Sequence, residues 1–129
     1  MRILFWLSAF LAWALLAPAQ ADPVPLEGDW SGSGIVTPTD GTPEKVVCRI
    51  NYKRETEKVF RVDAKCATTA NKINQTGELL MVNPGVYVGE FYIPSYDIGG
   101  RTRVVIEGSV QTMTFKSARA HGRLTLEKS

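Results

Sequence analysis

The stretch VVCRINYKRETEKVFRVDAKC, residues 46–66, decides the fold of this chain, because apolar and polar side chains alternate along it in two runs. A period of two is typical of half-buried β-strands. The polar segment around Glu55, Thr56 and Glu57 separates the runs and is expected to form the turn of a hairpin. The residues predicted to face the interior are Val46, Cys48, Ile50, Tyr52, Phe60, Val62, Ala64 and Cys66.

One register of this hairpin buries every apolar side chain, and a shift by one residue would turn the whole set to solvent. That register pairs Tyr52 with Val62, Ile50 with Ala64, and Cys48 with Cys66. Two cysteines that face each other in an exported chain are expected to form a disulfide, which stabilises a loop of this length by ~3 kcal/mol. A redox role is less well supported, because the CxxC spacing of redox pairs is missing.

The export of the chain is predicted from its first 21 residues. Arg2 precedes an apolar run at residues 3–17, and Ala19-Gln-Ala21 is a small-x-small cleavage site. This order is typical of a secretory signal peptide, and the run is shorter than the ~20 residues of a spanning helix. We therefore expect cleavage after Ala21 and a periplasmic or secreted location. Residues 22–129 are then a single all-β domain without a transmembrane segment.

The length and charge of the chain limit the number of domains and the classes of partner that we expect. The chain has 129 residues and a net charge of +2, with 15 basic and 13 acidic side chains. This length suffices for one small domain. Because charges of both signs alternate along the chain, nucleic acid is not an expected partner. We expect a monomer.

The remaining sequence continues the strand pattern, with turn residues about every ten positions. Strands are expected near 30–36, 72–82, 86–93, 101–110, 111–117 and 122–127, with a longer loop at 94–100. About eight short strands can close into a small antiparallel up-and-down β-barrel. A β-sandwich is the alternative architecture.

No residue pattern indicates catalysis, so we expect neither an enzyme nor a bound cofactor. The single histidine, His121, has no serine-nucleophile motif and no HxH or HExxH companion. The acidic residues fall on polar strand faces rather than in a pattern that predicts paired catalytic carboxylates. Catalytic residues and metal ligands are therefore predicted to be absent. Arg101 and Arg103 could bind an anion, although such residues on an outward strand face are more commonly just solvated.

The aromatic residues are the candidate binding positions. Trp30 begins the first strand, where it can either plug one end of a barrel or provide a stacking platform for a ligand. Tyr92, Tyr96 and Ile98 could form an apolar surface patch, and such patches mark partner surfaces. Tyr52 and Trp30 would instead line a cavity if the barrel carried a ligand.

Several of these segments resemble a family of small exported alphaproteobacterial proteins of unassigned function. The resemblance covers roughly residues 28 to 108 and implies an exported all-β fold with a Cys48–Cys66 bridge, but no substrate. The chain departs from the pattern at 92–100, where Tyr92-Ile-Pro-Ser-Tyr96 replaces a shorter polar stretch. The matching segments are Trp30-Ser-Gly-Ser-Gly34, Asp40-Gly41 before Glu44, Val47-Cys48-Arg49, Lys65-Cys66-Ala67, Asn71-Lys72-Ile73 and Gly89-Glu90.

A looser likeness links the Gly28-Asp29-Trp30 start to avidin-type and lipocalin-type barrels. Three hypotheses follow. The first is a non-enzymatic envelope protein that binds another envelope protein or cell-surface component through the patch at Tyr92, Tyr96 and Ile98. The second is a carrier of a small apolar or aromatic ligand inside the barrel. The third is a periplasmic inhibitor of hydrolases that acts through the 94–100 loop.

Overall fold

The structure is a computed structural model that describes residues 23–129, so the predicted signal peptide lies outside the described residues. Eight antiparallel strands follow one another around a single closed barrel, which confirms the predicted architecture over the sandwich. No helix within 23–129 has the length and apolar character needed to cross a membrane. The strands are β1 (Gly28–Pro38), β2 (Glu44–Arg54), β3 (Val59–Ala67), β4 (Lys72–Asn83), β5 (Val86–Ile93), β6 (Ile98–Glu107), β7 (Val110–Ser117) and β8 (Ala120–Lys128).

The central hairpin has the predicted register. β2 and β3 pair Tyr52 with Val62, Ile50 with Ala64, and Cys48 with Cys66. All the residues predicted to face inward on these two strands are buried. The two cysteines form a disulfide within the barrel wall, so the alternation of residues 46–66 correctly predicts both the pairing and the bridge.

The second half of the barrel differs from the expected strand boundaries. The expected loop at 94–100 is shorter, because a 3₁₀ turn, Pro94–Tyr96, ends at Asp97 in the left-handed conformation. The chain then re-enters the sheet at Ile98. A turn at Gly108, whose φ is +61°, separates β6 from β7, whereas the sequence pattern predicted no break before residue 110.

One end of the barrel is sealed by the segment that precedes β1. Leu26 and Trp30 are each 1% exposed, and Trp30 Nε1 donates a hydrogen bond of 2.8 Å to the Leu26 carbonyl. Val24 N donates to the Gly108 carbonyl at 3.0 Å, which ties the same segment to the β6–β7 turn. Trp30 is therefore the plug that one of the two sequence interpretations predicted.

The closure of the barrel depends on glycines in β1. Gly32 and Gly34 lie on the inner face, between β2 and β8. A Cβ atom at Gly32 would overlap the Thr125 carbonyl oxygen, and one at Gly34 would overlap that of Arg123. Only glycine permits so close an approach of backbone to backbone at a barrel corner.

We predict that Gly32→Val lowers the free energy of unfolding by about 2 kcal/mol, because the added side chain must displace the β8 backbone. The neighbouring Ser33 faces outward and is exposed, so Ser33→Val should change stability by no more than about 0.5 kcal/mol. Urea unfolding of both variants measures the difference. Equal stability of the two variants would contradict this account of barrel closure.

Candidate functional site

The barrel interior is hollow in the half opposite the plug. A cavity of about 250 Å³ lies there. Its lining includes Asn71, Tyr96 and Arg119, which belong to three of the connections at that end. We call this end the mouth and the plugged end the closed end.

On β3 and β4, the inward-facing residues are smaller toward the mouth, which leaves room for the cavity. On β3, Phe60 fills the closed end, whereas Ala64 lines the cavity. On β4, Leu79 is fully buried at the closed end, whereas Gly77 lines the cavity. Large side chains thus pack one half of the barrel and small ones leave the other half open.

The cavity wall is mostly apolar. The disulfide between Cys48 and Cys66 forms part of it and ties β2 to β3 at this level. Several of the apolar side chains are only partly buried, so they remain accessible from the mouth. The apolar lining consists of Val36, Val46, Ile50, Val62, Ala64, Ile73, Phe91, Ile93, Ile98, Met113, Phe115, Ala120 and Leu124.

Two phenylalanines form an aromatic section of the wall. The rings of Phe91 and Phe115 meet edge to face, with centroids 6.0 Å apart and planes at 84°. Phe91 lies against Gly100 on β6, and Phe115 lies against Gly122 on β8. Each ring occupies the space that the glycine on the neighbouring strand leaves without a side chain.

Few polar groups line the cavity. Thr102 is buried, and its hydroxyl donates to the Thr114 carbonyl at 3.1 Å, so this hydroxyl already has a hydrogen-bond partner within the barrel wall. Gln75 is half-buried on the inner face of β4. Arg119 is exposed at the rim and is the single basic side chain among the lining residues.

The β5–β6 connection shapes one side of the rim. Tyr92 lies on the outer wall and is 43% exposed, and its hydroxyl donates a hydrogen bond of 2.6 Å to Asp97 Oδ1. This hydrogen bond to the carboxylate raises the pKa of Tyr92 above its usual value. It also braces the 3₁₀ turn that holds Tyr96 at the mouth, where that ring is 44% exposed.

The five predicted binding residues fall into three places. Tyr96 and Ile98 line the cavity, while Tyr92 lies on the outer wall. Trp30 and Tyr52 lie in the closed end and do not line the cavity. The predicted aromatic patch is therefore divided between the rim and the outside of the barrel.

The buried Tyr52 has a structural role in the closed end. Its hydroxyl donates a hydrogen bond of 2.6 Å to Gln111 Oε1, and Gln111 is fully buried. Gln111 Nε2 has no hydrogen-bond partner among the described residues. Burial raises the pKa of Tyr52, with the hydrogen bond to Gln111 opposing that rise.

Sequence reasoning missed several cavity residues. Ile73, Gln75 and Phe115 were not singled out, although all three lie on the inner face. Their orientation follows from the pairing of β3 with β4 and of β6 with β7. The pairing of Phe115 with Gly122 on the neighbouring strand could have identified Phe115 as an inward-facing residue. That pairing can be recognised only when the strand register is known.

No protein-family model and no characterised protein sequence matches this chain, but solved structures do. The redesigned β-barrel mFAP0, bound to DFHBI, has a TM-score of 0.67 at 14% identity over 80% of this chain and 98% of that chain. The redesigned β-barrel b11L5F_LGL has a TM-score of 0.65 at 14% identity, covering 81% and 91%. Rv2717c from M. tuberculosis has a TM-score of 0.55 at 12% identity, covering 82% and 94%. At such low identity these similarities establish the barrel fold alone.

We predict that Tyr52 makes the stability of the protein fall at alkaline pH. Because its folded-state pKa is raised, the buried hydroxyl stays protonated above pH ~10, where an unfolded tyrosine ionises. Its contribution is complete below pH ~10, and each further pH unit removes about 1.4 kcal/mol. Urea unfolding across this range should show a shallower loss for Tyr52→Phe than for the wild type. Tyr96→Phe, which removes an exposed hydroxyl, is the control, and identical slopes for all three proteins would contradict the prediction.

Proposed function

We propose that this protein is a non-enzymatic binding protein that holds a small apolar or aromatic molecule in the mouth half of its barrel. The observation that carries the proposal is the cavity of about 250 Å³ with an almost wholly apolar wall. Cavities of this kind, with few polar groups, are the usual sites of small ligands. The proposal corresponds to the carrier hypothesis from the sequence, with a different set of lining residues.

The partly buried apolar wall provides a driving force for ligand binding. Ile73, Phe91 and Phe115 are each half-buried around the cavity. Covering them removes apolar surface from water, at about 25 cal/mol for each Å². A ligand that fills the cavity therefore gains affinity because it covers apolar side chains that are partly exposed to water in the free protein.

Cavity size limits the ligand. An apolar cavity of about 150 Å³ can hold benzene, so this larger cavity suits a molecule of one to three rings or a short alkyl chain. At about 0.4–0.5 kcal/mol for each non-hydrogen atom, a ligand of about 17 such atoms binds with a Kd of about 1–10 µM.

The wall around the cavity is held in place before any ligand arrives. The Cys48–Cys66 disulfide joins two wall strands, and the Tyr92–Asp97 hydrogen bond braces the rim. A preformed site loses less conformational entropy on binding than a flexible one. A redesigned barrel of this fold, mFAP0, is bound to DFHBI, which supports the suitability of the fold for a small ligand.

The other two sequence hypotheses receive less support. A partner-binding patch needs Tyr92, Tyr96 and Ile98 on one outer surface, whereas Ile98 faces the cavity. An inhibitor that acts through the 94–100 loop needs a projecting segment, whereas that connection is a single braced turn. The interior therefore remains the better-supported binding site.

The neutral fluorophore N-phenyl-1-naphthylamine, titrated into the oxidised protein, tests the proposal. We expect low-micromolar binding with enhanced fluorescence, because the dye would enter an apolar environment. Ile73→Glu places a carboxylate in the cavity wall and should weaken binding at least about tenfold, since an apolar ligand would then desolvate a charge.

Leu80→Glu is the matched control, because Leu80 lies on the outer wall of the same strand and is 46% exposed. This variant should bind the dye like the wild type, and urea unfolding of both variants establishes that they fold. Equal binding by Ile73→Glu and Leu80→Glu would place the dye elsewhere and refute the proposal. Absence of binding to the wild type would refute it as well.

A further inference from the structure

Basic side chains cover one part of the outer wall near the mouth. Arg101 on β6 pairs with Lys116 on β7, and Lys116 pairs with His121 on β8. In the adjacent row, away from the mouth, Arg103 and Arg123 flank a threonine of β7. All five side chains are exposed, and we call this surface the basic face.

The protein's own carboxylates form no salt bridge with the basic face among the described residues. The salt bridges among the described residues are Arg54–Glu27 and Arg61–Glu55, and both lie elsewhere. Glu90 borders the face as the β5 neighbour of Arg101, but it forms no salt bridge with it. Like charges directly opposite each other on neighbouring strands are destabilising, so Arg101 and Lys116 carry a cost that an external anion would relieve.

The outer wall of β2 and β3 has a different distribution of charge. Arg49 and Lys65 are also directly opposite each other there. However, the adjacent row contains Asp63, paired with Asn51, and Asn51 hydrogen-bonds Asp29 at 2.8 Å. Positive and negative groups therefore alternate on that wall, whereas the basic face has a carboxylate, Glu90, at its β5 border and basic residues at its other charged positions.

The basic face adjoins the cavity mouth. Lys116 and His121 flank the β7–β8 turn, whose Arg119 lines the cavity. A shallow outer groove runs along Arg101, Arg103 and Lys116, with Glu90 on its β5 side. The neighbouring connection at the mouth, β5–β6, presents the half-exposed side chain of Tyr96.

We propose that the basic face docks on an anionic lipid membrane, with the cavity mouth at the bilayer surface. Basic side chains gain energy near anionic headgroups, and tyrosine rings are enriched at the membrane–water interface. A soluble polyanion would use the charges but not the neighbouring apolar mouth and Tyr96. The inference rests on the proposed function, since a membrane is a source or destination for an apolar ligand.

The test compares sedimentation of the oxidised protein with two kinds of vesicle, phosphatidylcholine alone and phosphatidylcholine mixed with phosphatidylglycerol. We expect binding to the mixed vesicles only, and release as salt screens the charges. Each basic residue near an anionic surface contributes about fivefold to partitioning. The double variant Arg101→Gln/Lys116→Gln should therefore partition about 25-fold less than the wild type.

The double variant Arg49→Gln/Lys65→Gln is the matched control, because it removes the same charge from an opposed pair on the other wall. It should retain most of the binding. Equal losses in the two double variants would show an effect of net charge and overturn the proposal. Equal binding to both kinds of vesicle, or binding to soluble heparin without binding to vesicles, would also overturn it.

Dye titration without vesicles separates this inference from the proposed function. Arg101→Gln/Lys116→Gln should bind N-phenyl-1-naphthylamine like the wild type, because neither side chain lines the cavity. A wild-type protein that binds the dye but not the mixed vesicles would overturn membrane docking alone. One that binds the vesicles but not the dye would overturn the ligand-binding function alone.

Discussion

The pairing of β1 with β8 is the constraint on which the rest of the structure depends. It runs from Trp30 opposite Lys128 to Pro38 opposite Ala120 and closes the sheet. Closure removes the two exposed edges that an open eight-stranded sheet would present. It also encloses an interior, so the plug, the packed half and the cavity all exist because two distant parts of the chain pair. Gly32 makes this contact possible by leaving its inward position without a side chain.

The closed barrel has two unlike ends, and side-chain volume separates them. At the closed end, the rings of Phe60 and Tyr87 meet edge to face at 5.4 Å, and Tyr52 hydrogen-bonds Gln111. Toward the mouth, Ala64 and Gly77 occupy the equivalent inward positions and leave space. A densely packed half can supply the stability of the fold while the other half keeps apolar surface available. Entry to the interior is thereby confined to one end.

Along the outer wall of β6 and β8, the charge changes sign from one end of the barrel to the other. The basic face borders the mouth, whereas Glu107 and Glu127 lie near the closed end on the outer positions of β6 and β8. An anionic surface that approaches this wall is therefore attracted to the half near the mouth. The proposed ligand entry and the proposed membrane docking involve the same end of the barrel, although they depend on different side chains.

The sequence by itself determined the hairpin of residues 46–66, its register and the Cys48–Cys66 bridge, because these depend on local alternation across one short turn. It also indicated the plugging role of Trp30 and a barrel of about eight strands. Only the tertiary structure decided that Ile98 faces inward, that Phe115 lies over Gly122, and that five basic residues share one face. Those placements depend on the pairing of β5 through β8 with their neighbours. A residue's own surroundings in the sequence do not encode which side chain lies opposite it on another strand.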